Sequence, residues 1–174
     1  MKKAGLVKNI GVSTHSVDVV KLAAHMDVID VVFPLVNIAG RGVIDGTRDE
    51  MVEAISNTAK SGKGMYLMKA LAGGTILDDY DNAMKFARAV TGPASIALGM
   101  VSKEEVEFNV DYFNGKKMES FPKAASGKKR MKVFSSVCKS CGNCMKACPN
   151  NAITYDENNK AFINDQKCLT CGYC

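Results

Sequence analysis

Residues 1–137 contain no cysteine, and all seven that the chain has lie between 138 and 174. An odd, clustered set with no secretion signal excludes a disulfide framework and leaves thiolates free to act as metal ligands in a reducing cytosol. Long apolar runs are also lacking. The best, VIDVVFPLV, carries Asp30 and Pro34 and falls well short of the roughly 20 residues that span a bilayer. The opening MKKAGLVKNIGV is broken by Lys8 too early to form the apolar region of a signal peptide. A cytoplasmic protein with no membrane partner is expected. Acidic residues thin out toward the C-terminus: residues 1–120 carry 14 Lys/Arg against 15 Asp/Glu, residues 121–174 carry 9 against 3. Five of those nine (Lys123, Lys128, Lys129, Arg130 and Lys132) fall in FPKAASGKKRMK. With Ala-Ser-Gly in its middle this stretch reads as a solvated basic linker over 121–130 rather than a nucleic-acid patch.

What is present over 1–120 is a repeated rhythm. Short β-branched, apolar runs recur at NIGVST (9–14), VIDVVFPLV (28–36), MYLMKAL (65–71) and SIALGM (95–100), each followed by helical periodicity. Nearly continuous apolar runs predict strands buried on both faces. Ser16 can cap a helix carrying Val17, Val20 and Ala24 on one face. Thr47 with Glu50, and Ser102 with Glu105, have capping-box spacing. The apolar faces behind them would be Val52, Ile55 and Ala59, then Val106, Val110 and Phe113; a helix starting at Asp78 or Asp79 would bury Tyr80, Met84 and Ala87. Strand–helix alternation of this kind predicts an α/β fold of about four βα units with a parallel sheet. Four units are half of what a closed TIM-type barrel needs, so a half barrel would leave open edges and a bare inner face.

Residues 131–174 are too few for an independent hydrophobic core and need an inorganic staple. AITYD and KAFIND around Glu157, Asn158 and Asn159 read as a hairpin. Cysteines stand at 138, 141, 144 and 148, with Pro149 next, and again at 168, 171 and 174. The spacing C-x₂-C-x₂-C-x₃-C-P resembles the iron–sulfur run of bacterial-type ferredoxins. Small residues beside sulfur, Gly142 and Gly172, would let backbone amides approach. Zinc is the alternative reading, but two C-x₂-C pairs would leave Cys144 or Cys174 unexplained. By the ferredoxin pattern Cys168, Cys171 and Cys174 take Cys148 as fourth ligand and complete one [4Fe-4S] site. Cys138, Cys141 and Cys144 form a second site that needs a ligand beyond residue 174, so a small α+β ferredoxin-like domain over 131–174, truncated at its C-terminus, is expected. Lys139, Lys146 and Lys167 lie beside these cysteines, where positive charge would raise a cluster's potential.

In order and spacing, KNIGVSTHS, MKALAGG and ALGMVSKEEVEFNV resemble the fifth, seventh and eighth strand regions of the aldo/keto reductases, in particular the branch with a C-terminal iron–sulfur domain. The resemblance spans residues 1 to about 115. It implies that Ser13 and Thr14 hold a nicotinamide carboxamide, that Leu71, Ala72 and Gly73 lie along a pyrophosphate, and that Asn109 contacts the adenine of NADP(H) or NAD(H). The catalytic Tyr, Lys, Asp and His of that family belong to the first four barrel strands, and no residue here inherits those roles. The resemblance therefore implies the C-terminal portion of an oxidoreductase that couples cluster electron transfer to nucleotide-dependent reduction of a small carbonyl. Its partner would be the missing N-terminal half barrel or a redox protein. A non-catalytic ferredoxin-type carrier with a docking domain is the competing expectation. His15, at a strand end, and Lys69 are local candidates for acid–base or Schiff-base chemistry.

Overall fold

The computed structural model describes residues 1–117, 120–122, 131–168, 170–172 and 174. The chain divides into two units, Met1–Ala72 with Asp79–Gly99, and Gly73–Asp78 with Met100–Cys174. The expected linker over 121–130 lies, from residue 123 on, outside the described residues.

The first unit is a four-stranded parallel sheet in the order β1-β2-β3-β4, with β1 Gly11–Thr14, β2 Val31–Pro34, β3 Gly64–Leu67 and β4 Ser95–Ile96. Each strand lies beside its sequence neighbour, with registers Val12↔Val32, Val32↔Met65 and Leu67↔Ile96. Pro34 has no N–H, yet pairing continues past it because Leu35 N donates to Thr14 O at 3.0 Å and Val36 N to Met68 O at 3.1 Å. Placing Pro34 at the last position of β2 keeps its missing donor from interrupting the ladder.

The connections are helices α1 Val17–Ala23, α2 Arg48–Lys60 and α3 Tyr80–Ala89. Ser16 caps α1, accepting from Val19 N. Thr47 and Glu50 close a reciprocal capping box on α2. The inward face of α1 is Val17, Val20 and Ala23, with Ala24 already the C-cap; that of α2 is Met51, Ala54, Ile55 and Thr58. Val17, Val20 and Ile55 are buried as expected, whereas Ala23 takes the place of Ala24, and Met51, Ala54 and Thr58 take those of Val52 and Ala59. Met51 and Ile55 are fully buried, each contributing about 1.5–3 kcal/mol. Thr58 is buried as well and satisfies its hydroxyl on Val20 O at 3.0 Å, tying α2 to α1. The third helix buries Tyr80, Met84 and Ala87 as expected, and Ala83 with them.

The strands are buried on one face, not two. Val32, Met65 and Leu67 are at most 3 % exposed. The opposite row, Ser13, Phe33, Tyr66 and Ser95 in register, is exposed or half-exposed. Phe33 and Tyr66 stack on each other there with centroids 4.0 Å apart. Gly11 and Gly64 continue this open face, which explains why continuous apolar runs did not become doubly covered strands.

In the second unit, α4 (Lys103–Phe113) is capped by Ser102, which accepts from Glu105 N. Glu105 does not complete a capping box; its Oε2 accepts from Val101 N at 2.8 Å. That contact rolls Glu105, Phe108 and Asn109 inward and leaves Val106, Val110 and Phe113, the expected core face, exposed. The rest of the unit holds the short α5 (Asn143–Ala147) and an antiparallel hairpin of β5 Ile153–Tyr155 and β6 Ala161–Ile163. Within 131–174 the buried apolar residues among those described are only Ala152, Ile153 and Ala161, as thin a core as the length implied. No helix of the described residues is long and apolar enough to cross a membrane.

Candidate metal centre

The two cysteine runs are built on one backbone plan, offset by thirty residues. A turn precedes each: Cys138 N donates to Phe134 O at 3.1 Å, and Cys168 N to Asn164 O at 2.9 Å. Two residues past the first cysteine the chain enters the left-handed region, at Ser140 (φ 56°) and Thr170 (φ 50°). Two residues later it does so again, at Gly142 (φ 76°) and Gly172 (φ 83°). Glycine carries this conformation freely, whereas for Ser140 and Thr170 it is strained. The strain has a visible return, since the turns aim amides at sulfur: Thr170 N donates to Cys168 Sγ at 3.4 Å.

Cys148, Cys168, Cys171 and Cys174 line one cavity with the apolar side chains of Met131, Ala152, Ile153 and Ile163. Cys148 Sγ accepts from Ala152 N at 3.3 Å. The Cys174 thiol is pushed up from its ordinary value, first by desolvation, then by charge on Cys171, Cys168 and Cys148, against its own backbone amide. A thiol whose proton affinity is raised by burial and by three neighbouring sulfurs around an apolar cavity marks a site for a cationic core, since metal charge reverses that penalty.

Cys138, Cys141 and Cys144 do not line that cavity. Cys138 and Cys144 are half-buried and Cys141 is exposed. Cys144 lies in α5 and Cys148 is its C-cap, so one helical turn passes the chain from the first run to the cavity. The hairpin clamps the first run from the other side. Tyr155 donates its hydroxyl to Ser140 O at 2.9 Å and Ser140 donates to Asn159 O at 2.5 Å. Lys160 Nζ donates to Cys138 O at 2.9 Å, and Ala161 N to Cys138 Sγ at 3.4 Å. The Cys138 thiol is accordingly lowered, first by the Ala161 amide and then by that of Ser140, with the Lys160 charge assisting against desolvation.

The donor set fits iron–sulfur ligation: thiols from separate turns, backbone N–H donors on sulfur and an apolar wall.

Of the charged residues flagged from sequence, Lys139, Lys146 and Lys167 are exposed, whereas Lys160 is half-buried. Lys160 was not legible beforehand because only the hairpin returns it to Cys138.

The residues assigned to a nucleotide fall in both units. At the C-terminal ends of the parallel strands, Ser13 is exposed and Thr14 is buried, with Thr14 Oγ1 accepting from Ser16 N at 3.0 Å. Leu71 and Ala72 follow β3, with Ala72 buried at φ 48° and its amide on Lys69 O at 2.7 Å. His15 is buried, and its pKa is lowered first by desolvation and then by the charge of Lys69. In the other unit, Gly73 is an exposed left-handed residue, and Asn109 is buried with Nδ2 donating to Glu105 O at 2.6 Å. The α1 N-terminus is filled by a residue that sequence reasoning missed. Asp45 accepts from Ser16 Oγ at 2.5 Å, Val17 N at 2.6 Å and Asp18 N at 3.3 Å.

Compared with protein families, residues 130–174 match the model of a 4Fe-4S dicluster domain. Neither the curated proteins nor the solved structures yield a match to this chain. The C-terminal part is thus a ferredoxin-type 4Fe-4S domain, joined to an α/β unit with a parallel four-stranded sheet.

Proposed function

We propose that the protein is the C-terminal portion of an iron–sulfur oxidoreductase in which a dicluster domain serves a nucleotide-dependent reductase of the aldo/keto reductase type. The observation that carries the electron-transfer part is the cavity walled by Cys148, Cys168, Cys171 and Cys174 within the matched region. These four would hold one [4Fe-4S] group, and Cys138, Cys141 and Cys144 would supply three ligands to a second. Such groups supply one-electron oxidation and reduction. The chain's own part is to present thiolates from strained turns, place amides of Ala152, Ala161 and Thr170 on sulfur, and exclude water with Met131, Ile153 and Ile163.

Two observations support reading the α/β unit as half of a TIM-type barrel. Strands in strict sequence order with all neighbours parallel are how a singly wound barrel wall is built. A parallel sheet covered on one face only is exceptional, and its open row of Ser13, Phe33, Tyr66 and Ser95 corresponds to a barrel interior awaiting a complementary half. Ser13, Thr14, Leu71, Ala72, Gly73 and Asn109 are then the nucleotide contacts, with Ser13, Thr14, Leu71 and Ala72 at the strand ends where barrel ligands bind. The substrate class is a small carbonyl compound. A fluorescence titration of the reconstituted chain with NADPH and with NADH tests this part. Saturable quenching weakened by substituting Ser13 supports it, and redox-active clusters with no nucleotide binding would reduce the protein to an electron carrier.

A further inference from the structure

The two cysteine runs share a backbone plan, yet what the hairpin brings to the first is specific. Successive residues at the start of β6 grip the two ends of one cysteine: Lys160 Nζ lies 2.9 Å from the Cys138 carbonyl oxygen, and the next amide, Ala161 N, lies 3.4 Å from its sulfur. The position of Lys160 is itself secured. Its amide donates to Asp156 Oδ1 at 2.8 Å and its carbonyl accepts from Asp156 N at 2.8 Å, closing the hairpin turn. Lys160 is half-buried, unlike Lys139, Lys146 and Lys167, which are exposed. A cation held in one place and partly withdrawn from water acts more strongly on a neighbouring charge than a mobile surface lysine does.

We propose that Lys160 sets the reduction potential of the iron–sulfur group on Cys138, Cys141 and Cys144. Reduction adds one electron and no atom, so it makes the group more negative by one charge. A fixed ammonium beside Cys138 favours that more negative form and raises the potential. Lys160 is a positioning residue, acting through the field at Cys138 without ligating iron. The inference rests on the reading that the first run holds a cluster.

The test uses the full chain, reconstituted anaerobically with iron and sulfide, as wild type, Lys160→Gln and Lys160→Arg. Iron and sulfide per chain are measured first, followed by potentiometric titration with dithionite monitored by electron paramagnetic resonance. The expected result is two one-electron waves in the wild type. In Lys160→Gln one wave moves about tenfold toward the oxidised form, or about 59 mV lower. The other wave stays in place, iron content is unchanged, and Lys160→Arg restores the wild-type value. Unmoved waves at full iron content would overturn the proposal, as would an empty first site in the wild-type chain. Equal iron loss in both variants would also overturn it, showing a purely structural lysine. A wild-type chain that takes up no iron at all would instead sink the broader reading of the cysteines.

Discussion

Ser140 and Thr170, thirty residues apart, hold the same left-handed backbone at the same step past the first cysteine of their runs, φ 56° and 50°. Neither is glycine, so each turn is maintained by what surrounds it. Two copies of a strained turn in a segment with only three buried apolar residues among those described are hard to account for by packing. They are accounted for if sulfur–metal bonds stabilise both loops.

The glycines of the two turns separate space from backbone strain. A Cβ on Gly142 would sit 3.2 Å from Tyr155 Oη, while one on Gly172 meets nothing within 4 Å. Both hold positive φ, so Gly172→Ala is expected to cost about 1–2 kcal/mol from backbone strain, and Gly142→Ala more. Thermal melts of the reconstituted protein should rank the two in that order; equal costs would mean that Tyr155 does not clamp the loop.

Removing the clamp's hydroxyl is a milder change. Tyr155→Phe deletes the 2.9 Å bond to Ser140 O, worth about 0.5–1.5 kcal/mol. Iron release to a chelator should be faster from the first run, with the Cys148–Cys174 cavity unaffected. Uniform release from both sites would contradict the assignment.

In the α/β unit, acid should act through Asp45. Desolvation, the largest single influence on its carboxyl, raises its pKa, but the Ser16 hydroxyl and the Val17 and Asp18 amides together outweigh it and hold it below its ordinary 3.8. A carboxyl depressed by folding stabilises the fold above its unfolded pKa, and that contribution is lost as pH falls through the folded value. Asp45→Asn should therefore cost about 1 kcal/mol at neutral pH, as capping residues do. Its deficit against wild type should shrink in denaturant melts below pH 4 or so.

His15 gives the opposite chemistry the same sign. Burial, then Lys69, lowers its pKa below 6.5, so the unfolded chain takes up a proton before the folded one does. Stability is complete above 6.5 and declines as pH drops from there toward the folded value. His15→Gln should flatten that part of the stability–pH curve; an unchanged slope would show that His15 does not titrate differently on folding.

Local signals in the sequence were direct where one residue type has one use. Thr47 and Glu50 form the expected box, the four apolar runs became four parallel strands, and the hairpin turns at Glu157–Asn159. Face assignments were less secure, because a shift of one residue costs a helix little periodicity: Glu105 on the Val101 amide turned α4 away from Val106 and Val110. Spacing singled out all seven cysteines as ligand candidates, and the fold lines one cavity with Cys148, Cys168, Cys171 and Cys174. Lys160 and Asp45 could not be read beforehand, since each acts on residues more than twenty positions away that only the fold brings near.

The central claim is tested most directly by iron and acid-labile sulfide per chain after anaerobic reconstitution, compared between wild type and Cys148→Ser. The account predicts iron and sulfide in equal amounts, an electron paramagnetic resonance signal on reduction, and loss of about four irons in the variant, the content of one [4Fe-4S] group. A protein that binds zinc in place of iron, or one whose iron content is indifferent to Cys148, would contradict it.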